Sequence, residues 1–407
     1  MESIVVSGIG ALSSVGNSVD EIWNNIVLKK CGIEQITRFD TTHFKTKIAA
    51  EIKNFNPADY LKKKDIHKMD RISWYALAAV KEAILHSKID LTQISSKRIG
   101  LFWSSGNGGI ESTEEGVVFA NSQKKYPVFQ QIKILSDSPV GWLAQYFKIT
   151  GITMSVTAAC SSSIVALQTA QVYIQAGLCD FAIVGGSEAP ITPTVIAGFS
   201  SMGALSKQNY SPQDSAKAFS ILRDGFVVGE GAAALVIGLE KDTQKQNMPR
   251  LAKLSACNSL NDAQHFVHPN ESGIKTNIIE CLKNAHLNAS DINAVFPHAT
   301  STILGDASEY HALKYVFQAH LKEKYIFTIK NNIGHLLGAS GAISAVMAVK
   351  CIEKQHVLPN KILKNEIEYE ELNLSYECQK EAVDHILCFS SGFGGHHAAC
   401  IFSKIIT

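Results

Sequence analysis

Residues 152–177 (ITMSVTAACSSSIVALQTAQVYIQAG) and 325–355 (YIFTIKNNIGHLLGASGAISAVMAVKCIEKQ) are written on one plan: a strand-like run, a reactive residue, then a helical pattern of small residues. A plan used twice in 407 residues predicts two related halves packed on each other, since each unit has an apolar face to cover. The polar stretch LEKDTQKQNMPR sets the division near residue 245. An N-terminal half, 1–245, then carries Cys160, and a C-terminal half, 246–407, carries His298 and His335.

Further strand-like runs stand at RIGLFWSS, DFAIVGGSEA, GAAALVIGLE, INAVFPHA and HILCFSSGF, with helical stretches such as MDRISWYALAAVKEAILHS between them. Such alternation predicts an α/β protein with buried sheets. Charged residues are 18% of the chain and the formal net charge is +1, so no global field for nucleic acid is present and a charged partner must meet a local patch. Nine cysteines without CxxC spacing point to a reducing, cytoplasmic setting in which most are core filler. The opening MESIVVSGIGALSSVG lacks a basic segment before its apolar run, which argues against a secretory signal. The apolar segment 336–352 is interrupted by glycines, serines and Lys350 before it reaches spanning length, so no membrane span is expected. VVSGIGALSSVG reads as a strand entering a glycine turn, but it lacks the third glycine and the later acidic residue of a dinucleotide fingerprint.

Cys160 precedes a helical pattern that stops at Gly177. At a helix N-terminus, free N–H groups and the positive dipole end favour a thiolate. A lone cysteine is more often a buried filler residue, and a lone histidine a structural or solvated one. His298, just past the strand in NAVFPHATSTILGDASE, and His335, opening the helix in TIKNNIGHLLGASGA, both lie at strand ends where α/β sites form. The three residues also admit a zinc reading, for which stoichiometric metal in the purified protein is the test.

The segments TAACSSS, GGSEA, RDGFVVGEGAAALV, HATSTILGDASE, KNNIGHLLGASGA and GFGGHHAA, in this order over nearly the whole chain, resemble the β-ketoacyl synthases of the discrete type I/II kind. The resemblance implies a thiolase-like, five-layer αβαβα fold with the site where the halves meet. It implies a decarboxylative Claisen condensation in fatty acid elongation, with a specialised type II polyketide or aryl polyene synthase as the alternative. Cys160 is then the acyl-accepting nucleophile, His298 and His335 donate to the malonyl thioester oxygen, and Lys330 and Glu309 match a buried charged pair around the histidines. The N–H groups of Cys160 and Phe393 match the oxyanion hole, and Gly392, Phe393 and Gly394 match the gating loop. Substrates are implied to arrive on the phosphopantetheine of an acyl carrier protein, with no further cofactor and no metal.

The same resemblance implies that acidic carrier protein docks on basic residues, with Lys64 and Lys68 matching best, Lys63 in the same segment and Lys207 a weaker candidate. It implies a homodimer, or a heterodimer with a chain-length-factor-like subunit; a non-catalytic subunit of such a pair is disfavoured because Cys160, His298 and His335 are all present. The chain departs from the pattern at Ala299, Ile303, Phe389, Ser391 and Ser220, where glycine, proline, asparagine, phenylalanine and aspartate are usual. A different histidine loop and an altered gate are therefore expected.

Overall fold

The computed structural model describes residues 2–122, 124–362 and 364–405. Among the described residues, the large sheet takes five strands from the first part of the chain: β1 (Ile4–Ser13), β2 (Ile99–Ser104), β3 (Thr153–Val156), β4 (Phe181–Glu188) and β5 (Gly231–Leu239). Five more follow, β6 (Ala252–Asn261), β7 (Ala294–Phe296), β8 (Tyr325–Ile326), β9 (His385–Gly392) and β10 (His396–Ser403), and the short strand Asn373–Leu374 pairs with β8 at the sheet edge. The order β1-β5-β4-β2-β3 in one set is repeated as β6-β10-β9-β7-β8 in the other. Directions repeat as well. In each set the first, fifth and fourth strands are antiparallel neighbours, and the fourth, second and third run parallel. A short antiparallel contact, Ile4 to Leu254 and Val6 to Ala252, joins the two sets edge to edge.

The helices form three layers around these sheets. α1 (Arg71–Ser87) and α2 (Ser138–Phe147) cover one outer face, and α4 (Glu271–Ala285) covers the other, with α5 (Ile303–Phe317) packed on it. Between the sheets lie α3 (Ser162–Gln175), which touches β2, β4 and β6, and α6 (Ser340–Lys354), which touches β1, β5 and β9. Alternating helix and sheet layers thus give the five-layer α/β architecture. α6 is buried on every side from Ser340 to Ile352, which is why its sequence is small and apolar all round. Its start is pressed against α3: a Cβ on Gly341 would fall 2.6 Å from Ile164 Cγ1, and the Ala342 amide donates to Ser163 Oγ at 2.9 Å.

The glycine turn expected from VVSGIGALSSVG comes at its end, where Ser13 and Gly16 exchange backbone hydrogen bonds, while Gly8 and Gly10 lie within the strand. β1 runs through them to Ser13, and a Cβ on Gly8 or Gly10 would meet the carbonyl oxygen of Ala83 or Ala79 at 2.2 or 2.1 Å. They let α1 lie close on the strand and serve packing. All nine cysteines are free, and six of them are buried core residues, in line with their reading as filler. Among the described residues no helix is long and apolar enough to cross a membrane.

Candidate active site

β3 ends at Val156, and the chain turns through Ala159, whose φ is 49°, to present Cys160 two residues ahead of the first residue of α3. A left-handed alanine is costly by roughly 1 kcal/mol, so this turn is held by its surroundings. Part of that hold is Ser162, whose hydroxyl accepts the Ala158 amide at 2.8 Å. Gly392 presses on the same turn, because a Cβ there would lie 2.9 Å from the Cys160 nitrogen. Glycine is required at 392 by this close approach.

His335 comes from the equivalent strand-to-helix connection of the second set. A four-residue helix, Lys330–Ile333, is followed by Gly334 at φ 69° and then by the imidazole, which is buried. Its Nε2 lies 3.2 Å from Cys160 Sγ, and its Nδ1 lies 2.8 Å from Ser340 Oγ at the start of α6. His298, just beyond β7, faces His335 edge-on with ring centroids 5.0 Å apart. One ligand-type atom from each of the three residues fits within a spread of 4.8 Å, compact enough for a metal as well as for a thiol between two imidazoles. The three residues singled out in the sequence are therefore brought together in the lining of a cavity of about 520 Å³.

Burial sets the protonation of the group. It pushes the Cys160 thiol up to about 12, opposed by Lys330 and reinforced by Glu188. This reverses the sequence expectation of a thiolate favoured by the helix end. Although Cys160 as a residue is only half-buried, the cleft walls enclose its sulfur, and desolvation of the charged form is the largest cause of the rise. Burial, followed by the neighbouring Lys330, likewise holds His298 and His335 well below the usual imidazole range. Both rings are neutral hydrogen-bonding groups at pH 7.

Lys330 and Glu309 are both buried beside the histidines, but no ion pair within 4.0 Å joins them among the described residues. The two are thus a buried charged pair without a direct salt bridge, each influencing the other through space. Burial, then Asp306, pushes Glu309 up, while burial pushes Lys330 down. The Glu309 carboxyl is occupied with the Ala299 amide, at 2.9 and 3.0 Å from its two oxygens. Ala299 has φ 44° and Ser301 φ 65°, so the histidine loop keeps a left-handed bend without the usual glycine. Ile303 is exposed at the first position of α5, a place that also suits proline, so its substitution is accommodated.

Three carboxylates that the sequence reading passed over support this loop and the cleft. Asp306 accepts from the amides of Phe219 at 2.7 Å and Ser301 at 3.1 Å, and lies 3.7 Å from Arg223. Glu368 pairs with the same guanidinium. Arg223 thus has acidic partners although Ser220 stands where aspartate was expected. Glu188, from GGSEA, accepts from the amides of Gly106 and of Gly338, the latter at 3.2 Å, and so ties together two walls of the cavity. Ser340 was also missed; five residues beyond His335 in a run of small residues, it gives no signal until the chain is folded.

Phe393 lines the cavity and its ring centroid is 6.4 Å from that of Phe199. Gly394 and Gly395 follow with φ of 82° and 75°, conformations that favour glycine. The Gly394 amide donates to the Phe266 carbonyl at 2.7 Å, and Asn261 Nδ2 donates to the Gly394 carbonyl at 2.5 Å. At the departures from the family pattern before Gly392, Phe389 is buried in the core and Ser391 lines the cavity. Lys63 and Lys64 are exposed on the short helix Lys63–Ile66, Lys68 pairs with Asp65 at 2.7 Å, and Lys207 is exposed. The Lys68 ammonium also lies 5.6 Å from the centroid of the Phe129 ring.

Comparison with known proteins agrees with this geometry. Residues 1–243 match the family model "Beta-ketoacyl synthase, N-terminal domain" and residues 251–363 match "Beta-ketoacyl synthase, C-terminal domain". The chain is 32% identical over 408 aligned residues to a Staphylococcus aureus (strain COL) protein named 3-oxoacyl-[acyl-carrier-protein] synthase 2, covering 98% of each. It is 30% identical to a Coxiella burnetii protein of the same name, covering 99% of this chain and 98% of that one. A crystal structure of a β-ketoacyl synthase from Burkholderia phymatum STM815 superposes with a TM-score of 0.92 at 25% identity, over the whole of both chains. A type II polyketide ketosynthase solved with its acyl-carrier protein shares the fold over the full length, with a TM-score of 0.90 at 24% identity. Matched in sequence across both sets of strands, in fold, and in the motifs that place Cys160, His298 and His335 at one cavity, the chain belongs to the β-ketoacyl synthase family.

Proposed function

We propose that the protein is a β-ketoacyl-[acyl-carrier-protein] synthase that extends an acyl chain by decarboxylative condensation with malonyl carrier protein. The observation that carries this reading is the 3.2 Å contact between a buried thiol and a neutral imidazole with a second neutral imidazole alongside. In the first stage Cys160 Sγ attacks the carbonyl of the incoming acyl thioester. The N–H groups of Cys160 and Phe393 receive the developing oxyanion. The bond to the phosphopantetheine sulfur breaks, and the proton lost by Cys160 ends on the departing thiol.

In the second stage malonyl carrier protein binds and loses CO₂. The electron pair left behind forms an enolate whose oxygen is held by His298 and His335. Ser340 donates to His335 Nδ1, which leaves Nε2–H directed at the reacting atoms. The enolate carbon attacks the Cys160 thioester, a carbon–carbon bond forms, and Cys160 leaves as thiolate and is reprotonated. Lys330 and Glu309 are supporting groups that tune the histidine pocket, and Gly392, Phe393 and Gly394 form the gate over it.

The chain carries these groups on two halves dividing near residue 245. Substrates arrive on the phosphopantetheine of an acyl carrier protein, with no resident cofactor or metal. The docking surface is the basic stretch with Lys63, Lys64 and Lys68, and Lys207 is a further contact. The working assembly is a homodimer in the cytoplasm. A specialised type II polyketide or polyene role, with a chain-length-factor-like partner, is the second reading, favoured by the polar cavity wall at Ser391.

The test is intact mass spectrometry after incubation with acyl carrier proteins bearing different chains. An acyl adduct is expected that maps to Cys160 and is absent from Cys160→Ser. An enzyme that stays unmodified with every carrier-bound chain contradicts the proposal. The Lys64→Glu, Lys68→Glu double variant is expected to slow adduct formation at low salt, with the difference shrinking as salt is added.

A further inference from the structure

Ser391, where the family pattern has phenylalanine, belongs to a hydrogen-bonded set that the condensation does not use. Its hydroxyl lies 2.9 Å from His397 Nδ1, and His397 Nε2 lies 2.8 Å from Asp262 Oδ2. Ser391 and His397 face each other across β9 and β10, and all three residues line the same cavity as Cys160. The histidine and aspartate side chains are 3% and 5% exposed, so the set is built into the wall. α4 makes room for it: a Cβ on Gly273 would fall 2.5 Å from His397 Nε2.

The direction of these hydrogen bonds follows from their partners. Asp262 accepts, since its other oxygen already takes the Gln264 amide at 3.0 Å. Burial keeps His397 below the usual imidazole range against the opposing pull of Asp262, so the ring carries a single proton. That proton is on Nε2, facing Asp262. Nδ1 is then an acceptor, and the Ser391 proton points at it. What Ser391 offers the cavity is a fixed pair of oxygen lone pairs, in the space a phenyl ring would otherwise fill.

The geometry points to Ser391 as a specificity residue that accepts a hydrogen bond from a hydroxyl group on the acyl chain, with His397 and Asp262 as the positioning residues that aim it. This rests on the condensing activity proposed above. The substrate class is a carrier-bound hydroxyacyl chain, the product of a reaction sequence in which a keto group has been reduced to an alcohol and left in place. A wall with phenylalanine at this position would offer such a hydroxyl no partner.

The experiment compares kcat/KM for carrier-bound chains of one length, either unsubstituted or bearing a single hydroxyl at successive carbons. At least one hydroxylated isomer is expected to be favoured by about fivefold or more, the worth of one net hydrogen bond. Ser391→Ala and His397→Leu are expected to bring that ratio close to one. His397→Gln, whose amide oxygen can still accept from Ser391, is expected to restore part of it. Each ratio is taken within one variant, so a general loss of activity or stability cancels.

A wild-type enzyme that favours no hydroxylated isomer overturns the proposal, as does a preference that survives Ser391→Ala. An equal loss on every chain also overturns it, because the contact would then be to an N–H of the shared phosphopantetheine arm. If no chain of either kind acylates Cys160 in the wild type, the condensing activity falls and this proposal falls with it.

Discussion

The two strand-to-helix turns that meet at the cavity come from equivalent places in the repeated strand order, yet they are built differently. The turn into α3 is short and strained, with Ala159 at φ 49° and Cys160 at its tip. The turn into α6 is longer. It holds Lys330 on its four-residue helix, Gly334 at φ 69°, the buried His335, and Ser340 behind the ring. A duplicated scaffold thus supplies two helix starts that face each other, and the function proposed above divides the chemistry between them. One side offers a single nucleophile in a tight bend, and the other offers hydrogen bonding that needs several residues to orient one ring.

The largest effect that sharpens this contrast is expected at the point where the two central helices touch. Gly341→Val places carbon within reach of Ile164 and Ser163, and overpacking of this kind costs about 1–3 kcal/mol. A lowered thermal midpoint together with lost activity is expected. An unchanged midpoint breaks the claim that the two turns are held in register by this contact.

Ser340→Ala comes next. Removing the hydroxyl that orients His335 is expected to slow condensation roughly fivefold to tenfold, on the scale of one hydrogen bond. Acylation of Cys160 by carrier-bound chains should persist. Equal loss in both stages would mean that Ser340 supports the whole cleft and has no particular role for the ring.

The pH dependence of stability tests the burial of the imidazoles. His298 and His335 are held neutral in the fold, below the ordinary value of 6.5, while the unfolded chain takes up protons as pH falls through that value. Their contribution is complete above about pH 6.5 and is progressively lost on acidification. The wild-type midpoint should therefore drop further between pH 7.5 and 5.5 than that of the His298→Ala, His335→Ala double variant. Parallel curves would break the account of how the second turn is charged.

The smallest effect concerns the loop beside His298. Ala299→Gly removes a left-handed alanine and is expected to leave stability unchanged or raise it by up to about 1 kcal/mol, read as a midpoint shift. A clear loss of stability would show that the Cβ at 299 packs usefully despite its φ.

Much of this was legible in the sequence because the informative features are local. The repeated plan of 152–177 and 325–355 anticipates the repeated strand order, since alternation and small-residue helices are read from neighbours along the chain. Cys160, His298 and His335 stand out because each sits at a strand end inside a recognisable motif. What escaped depends on distance through space. The rise in the Cys160 pKa comes from cleft walls supplied by several segments, and the separation of Lys330 from Glu309 is set by packing. The packing role of Gly8 and Gly10 was hidden because their spacing cannot reveal that α1 lies on top of them. Ser391, His397 and Asp262 meet only once β9, β10 and the end of β6 are aligned.

The most direct measurement of the division of labour follows both stages in one reaction, using His298→Ala and His335→Ala with acyl and malonyl carrier proteins. Intact mass should show the acyl group on Cys160 in both variants, while release of CO₂ and formation of the longer chain fall by about 10²–10³-fold, the usual loss for an oxyanion donor. Condensation at the wild-type rate in both variants, or an acyl group that maps to a residue other than Cys160, would contradict the account.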